Sequence, residues 1–189
     1  YFQNLCFAVA LWNGKDEILK ERLFGLGNYE GNHGEDVKEL YYHLDNLPTH
    51  YYMQFLYKYP QQAFPYDLLR EENKKRSKHD PEYEILDTGI FNDNQYFDVY
   101  ATYAKNNSTD IAIRISITNR YKEAAPITVL PTLWFYNRWA PHGSLKTKPN
   151  LSPAGTNTIY ATHPRLGNYY FYYQDAQDAL FTDNETNMM

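Results

Sequence analysis

Ile111, Ile113, Ile115 and Ile117 alternate with Ala112, Arg114, Ser116 and Thr118. A strict period of two sends successive side chains to opposite faces of an extended strand and cannot be gathered onto one face of a helix. It predicts a strand with one buried and one wetter face, and the neighbouring segments are read against it. Residues 82–87 and 96–104 continue the extended pattern upstream. They are separated from their neighbours by Asn92-Asp93-Asn94 and by Lys105-Asn106-Asn107-Ser108, which have the composition of turns. Downstream, 119–125 turns the chain and 127–136 returns as a strand, with Pro131 marking a bulge or an edge. An antiparallel hairpin of 111–118 with 127–136 is the economical pairing.

The same rhythm extends to both ends. Leu5 to Trp12 is a short apolar run stopped by Asn13-Gly14 and reads as a buried strand followed by a turn. Residues 37–44, ended by Asn46-Leu47-Pro48, and 51–57, before Tyr59-Pro60, are further strands. Residues 15–24 fit either a helix or a polar connection into a strand at 22–26. From 139 to 156 the prolines and glycines predict a long irregular loop, after which 157–162, 168–174 and 179–182 resume as short strands. One segment breaks the pattern: residues 67–78 hold acids early and bases late, with Asp67 placed to cap the N-terminus. The expected architecture is all-β and mainly antiparallel, a sandwich with one surface or linking helix near 67–78.

At 189 residues the chain suits one domain, expected over 4–189, with Tyr1-Phe2-Gln3 resembling the remnant of a cleavable tag. A formal charge of −5 with interspersed basic residues makes nucleic acid an unexpected partner. No stretch has the length of a membrane span, so no membrane partner is expected. Cys6 is the sole cysteine, which excludes an intrachain disulfide and fits a cytoplasmic setting. Twenty tyrosines against three methionines favour strands and surfaces that are both apolar and hydrogen-bonding.

The densest polar stretch is 21–45, where Gly25, Gly27, Gly31 and Gly34 alternate with Asn28, Glu30, Asn32, His33, Glu35 and Asp36. Glycine permits turns there, and polar groups on a loop held between apolar segments suit a functional rim, although a hairpin with a long polar turn fits as well. Glu35 and Asp36 are adjacent and point opposite ways in extended chain, so they cannot straddle one sugar as the acid and base of a glycosidase. His43, Asp45 and His50 match no strong metal-ligand spacing, and Pro48 interrupts them. There is no Gly-x-Ser-x-Gly elbow, and Cys6 lies in an apolar run where a thiol is packing. Asn106, Asn107 and Asn184 open glycosylation sequons, which carry little weight in an Asn-rich chain. No catalytic residue, metal or cofactor is assigned. Tyr41, Tyr42, Trp134 and Trp139 have rings able to stack on sugars. Trp134 sits within a strand pattern and reads as core, whereas Trp139, before Ala140-Pro141-His142-Gly143, fits core and surface equally.

Longer motifs carry a resemblance. WNGKDEILKERLFGL, GNHGEDVKELYYHLDNLPTH, FLYKYPQQAFPYDLL, DTGIFNDNQYFDVYATYAK, VLPTLWFYNRW, ATHP and LFTDNETN together resemble the N-terminal region of bacterial family 63 glycoside hydrolases, relatives of processing α-glucosidase I. The resemblance spans about residues 4–187. It implies a β-supersandwich that precedes an (α/α) toroid, with the general acid and base of inverting α-glucoside hydrolysis in the toroid. It implies further that LFTDNETN leads into more strands of the same sandwich. On this reading the partners are the toroid of the same parent chain and an oligosaccharide, no cofactor is needed, and the segment alone is inactive. Asn32, His33, Glu35, Asp36, Tyr41 and Trp139 are then expected at the substrate rim or domain interface. A carbohydrate-binding module using Trp139 and exposed tyrosines, or a purely structural interface domain, are the alternatives.

Overall fold

The computed structural model of the protein describes residues 4–16, 40–139 and 143–183. They form a mainly antiparallel all-β fold with one α-helix among the described residues. In chain order the elements are β1 (Leu5–Trp12), β2 (Leu40–Asn46), β3 (Tyr52–Pro60), α1 (Tyr66–Lys74), β4 (Tyr96–Asn107), β5 (Asp110–Asn119), β6 (Thr128–Phe135), β7 (Asn150–Pro153), β8 (Thr158–His163) and β9 (Gly167–Tyr172). Strands β2 to β5 form one sheet in sequence order, β7 to β9 another, and β1 hydrogen-bonds with β6. Contacts divide the chain into two compact units, Val9–Leu130 on the one hand, and Tyr1–Ala8 with Pro131–Met189 on the other. No helix among the described residues is long and apolar enough to cross a membrane, which has no bearing on β-barrels.

In the Val9–Leu130 unit, register aligns Phe55 with Ala101 and Ile115, and Tyr57 with Val99 and Ile117. That alignment puts the apolar side chains of three strands on one face, where Tyr57, Tyr59, Phe97 and Val99 are fully buried. The alternation in β5 holds, but its burial is partial: Ile113, Ile115 and Ile117 are half-buried and Ile111 is 50% exposed. As the last strand of this sheet among the described residues, β5 has one neighbour there, β4. On the opposite face, buried Asp98 accepts hydrogen bonds from Lys58 Nζ at 2.8 Å and Arg120 Nε at 2.5 Å. Beside β1, the side chain of Asn13 ties the following turn to the exit of β3, donating to the carbonyls of Pro60 and Gln62 and accepting from the amides of Lys15 and Asp16.

Several expectations are corrected. The helix is shorter than 67–78, and Asp67 is not its cap: Pro65 holds that position without a side-chain cap, while Asp67 lies in the first turn and accepts from Arg70. Termination near Lys74 follows from Asn73, whose amide exchanges two hydrogen bonds with the backbone of Tyr83 and pulls the chain out of helical register. Residues 82–87 are not a strand. Glu84 and Asp87 form a capping box around a 3-10 turn, Ile85–Thr88, closed by left-handed Gly89, and Ile85 packs with Phe64, Leu69 and Ile90. The 111–118 strand pairs with β4, not with β6, because Arg120 is drawn back to Asp98 and Tyr96, and Asn119 bonds Gln61 and Glu123. Within the expected 139–156 loop, β7 forms by pairing with β8, while 179–182 is not a strand and leaves Leu180 and Phe181 exposed.

Candidate functional site

A concave surface with converging polar groups lies in the unit that contains β7, β8 and β9. It is a cleft of about 310 Å³ lined by Thr147, Lys148, Thr162, His163, Pro164 and Asn168. That volume is at the small end of ligand sites. Thr162 and Asn168 face each other across β8 and β9, and Pro164 opens the turn that joins those strands. Left-handed Gly167 (φ 81°) closes this three-residue turn, a geometry glycine adopts at little cost.

His163 organises the corner. Its Nδ1 accepts the backbone N–H groups of Arg165 at 3.0 Å and Leu166 at 3.1 Å, so the imidazole acts as a cap for the turn. Two donors aimed at Nδ1 select the tautomer with the proton on Nε2. The residue is 5% exposed, its ring lies 5.5 Å from that of Phe135, and its Nε2 is buried with no hydrogen-bond partner. A buried N–H donor without a partner is costly and marks a position where an acceptor from a ligand is favourable. Burial, with the charge of Arg165 as a lesser cause, holds the imidazole pKa below its ordinary value, so the ring is neutral at neutral pH.

Lys148 supplies a cation to the lining. Its Nζ lies 3.5 Å from the Asp183 carboxylate and 6.0 Å from the centre of the Trp139 ring, which brings Trp139 beside the cleft. Arg165 donates to the Ser144 carbonyl at 3.4 Å and ties the β8–β9 turn to the segment that leads to Lys148. Among the described residues the lining therefore offers an ammonium, two hydroxyls and a carboxamide, with the Asp183 carboxylate beside Lys148. Such a set has the chemistry to hydrogen-bond an oxygen-rich ligand.

Of the residues expected at the rim, Trp139 lies half-buried next to this cleft, and Trp134 is half-buried in β6. Tyr41 belongs to the other unit, on β2, where its ring meets His43 edge-on at 6.1 Å. Asn32, His33, Glu35 and Asp36 lie outside the described residues. His50 Nδ1 is 3.0 Å from Asn46 Oδ1, and no group of three His, Cys, Asp or Glu that could hold a metal occurs among the described residues. Burial pushes the Cys6 thiol up from its ordinary pKa, partly offset by a backbone hydrogen bond with Tyr136. The cleft residues escape a reading by sequence because they come from a loop, two strands and a turn that only register unites. Their one local signal is His163-Pro164 at the end of an extended segment.

No family model matches the chain. It is 43% identical over 221 aligned residues to an uncharacterized protein of Saccharomyces cerevisiae, YMR196W, an alignment that takes in 99% of this chain and 20% of the yeast protein. The chain thus spans about a fifth of the length of that relative. No solved structure matches it.

Proposed function

We propose that the chain is the N-terminal, non-catalytic β region of a glycoside hydrolase of the family 63 type, an inverting exo-α-glucosidase whose acid and base lie on a helical toroid elsewhere in the parent protein. The observation that carries this reading is the chemistry of the cleft: donors suited to sugar oxygens with an indole beside them. The long motifs that resemble that family support it, as does the antiparallel β architecture. In this role the chain supports the toroid and helps to shape the oligosaccharide pocket, with Asn32, His33, Glu35, Asp36, Tyr41 and Trp139 at the rim or domain interface. A cytoplasmic setting accords with a single cysteine and no intrachain disulfide.

The test compares the purified chain with its full-length parent on an α-glucosyl disaccharide. The chain alone is expected to release no glucose, and the parent to release it with inverted anomeric configuration. Glucose release by the chain alone, or an inert or retaining parent, would refute the reading.

A further inference from the structure

The β7–β8–β9 sheet has two chemically distinct faces. Register and strand alternation place Ile159, Ala161 and Phe171 on one side, where Ala161 is buried and the Phe171 ring lies 5.8 Å from that of Phe7. The other side carries Thr158, Tyr160 and Thr162 from β8 opposite Tyr172, Tyr170 and Asn168 from β9. Tyr170 and Tyr172 are 57% and 73% exposed, yet their rings stack 6.2 Å apart at 19°. The Tyr160 ring joins them 5.1 Å from that of Tyr170. Large aromatic rings left in water in a mutually supported row offer apolar area at low conformational cost.

We propose that this face is a binding track for an uncharged, extended oligosaccharide that runs from Tyr172 to Thr162 and Asn168 at the margin of the cleft. Three features point to that ligand. The rings can lie against the C–H faces of pyranoses, while hydroxyls and a carboxamide on the same face reach sugar hydroxyls. None of these six residues is charged, which fits a neutral polyhydroxylated chain better than a phosphorylated or sulfated one, the cation of Lys148 lying beyond them in the cleft. The track is also continuous: Thr162 and Asn168 belong to both this face and the cleft lining, and Tyr172 stands about 13 Å along the strand from Asn168. His163, by the same alternation, turns to the other side with Ala161 and contributes no donor to the track. The proposal does not depend on the glycosidase reading, since a chain that binds glycan without being part of any hydrolase satisfies the one and not the other.

Isothermal titration of the 189-residue chain with maltohexaose, cellohexaose and a heparin-derived hexasaccharide tests it. At least one neutral hexasaccharide is expected to bind, with an affinity insensitive to a tenfold rise in ionic strength. Tyr170→Ala and Tyr172→Ala, both at exposed positions, should weaken binding about tenfold or more, the equivalent of about 1.4 kcal/mol, whereas Tyr172→Phe should retain it. Failure of both neutral sugars to bind, binding confined to the heparin fragment, or unchanged affinity in the alanine variants would overturn the proposal. Glucose release in the same samples would count against the accessory role instead.

Discussion

Replacing Asn13 by alanine should destabilise the Val9–Leu130 unit by about 4 kcal/mol. Asn13 is 3% exposed, and its side chain uses its full hydrogen-bonding capacity on backbone groups. Nδ2 donates to the carbonyls of Pro60 at 2.9 Å and Gln62 at 2.8 Å, and Oδ1 accepts from the amides of Lys15 and Asp16, both at 2.9 Å. A neighbouring set locks the same corner. Tyr59 donates its hydroxyl to Asp16 Oδ2 at 2.5 Å, the Phe64 amide donates to Asp16 Oδ1 at 2.6 Å, and the Asn13 amide donates to the Tyr59 hydroxyl at 3.2 Å. At roughly 1 kcal/mol net for each bond, losing four costs about 4 kcal/mol, and backbone groups left dry add to that. This is a large share of the roughly 5–15 kcal/mol that holds a domain folded. Asn13→Asp sharpens the test, since it keeps shape and both acceptor bonds but turns an anion towards two carbonyls beside the Asp16 carboxylate. It should cost at least as much. Urea unfolding followed by tryptophan fluorescence measures both. A loss below about 1 kcal/mol for alanine, or wild-type stability for aspartate, would refute the view that these bonds rather than packing secure the corner.

Three other outcomes follow from the same structure. Burial by itself would raise the Asp98 pKa, but hydrogen bonds from Lys58 and Arg120, with their charges, hold it below the ordinary carboxylate range. A depressed folded value means a stabilising contribution that is complete above about pH 4 and lost as pH falls through the folded value. Asp98→Asn should remove about 1–3 kcal/mol at neutral pH and flatten the acid limb of Tm against pH. For His163, whose folded pKa is also lowered, the unfolded chain takes up the proton first, so stability should decline as pH drops from about 6.5 towards the lowered value. His163→Asn retains an acceptor near the Nδ1 position without titrating, and a difference curve of Tm against pH should show a shallower slope in that window. Gly89→Ala should cost more than Gly14→Ala in chemical denaturation. Both glycines have left-handed φ, 73° and 76°, worth about 1–2 kcal/mol, but a Cβ at Gly89 would also meet Asn92 Nδ2 at 2.9 Å whereas none lies within 4 Å at Gly14.

Local period carried most of the fold. Ile111 to Ile117, the aromatic alternation of β3 and the Asn13-Gly14 stop need no distant partner to declare extended chain and its end, and each appears as expected. Segments that short-range contacts decide against their composition were misread. Residues 82–87 look extended until the reciprocal bonds of Glu84 and Asp87 and the left-handed Gly89 are included. Pairing was harder still, because β6 leaves β5 for β1 on account of what Arg120 and Asn119 reach across the sheet. The cleft was illegible for the same reason. Thr147, Thr162 and Asn168 are ordinary polar residues until register assembles them; the local signals are His163-Pro164 within the lining and, beside it, Trp139 as an aromatic before a broken segment.

The pairing of β1 with β6 sets an order on biosynthesis. Strands β2 to β5 neighbour one another in sequence and pair as a meander, so each can find its partner soon after it leaves the ribosome. β1 precedes them in the chain, yet its partner follows more than a hundred residues after it. Until then Phe7, Val9 and Leu11 must wait as a nascent apolar segment. A strand made before the β2–β5 meander is thus finished after it, and its apolar side chains need shelter during translation.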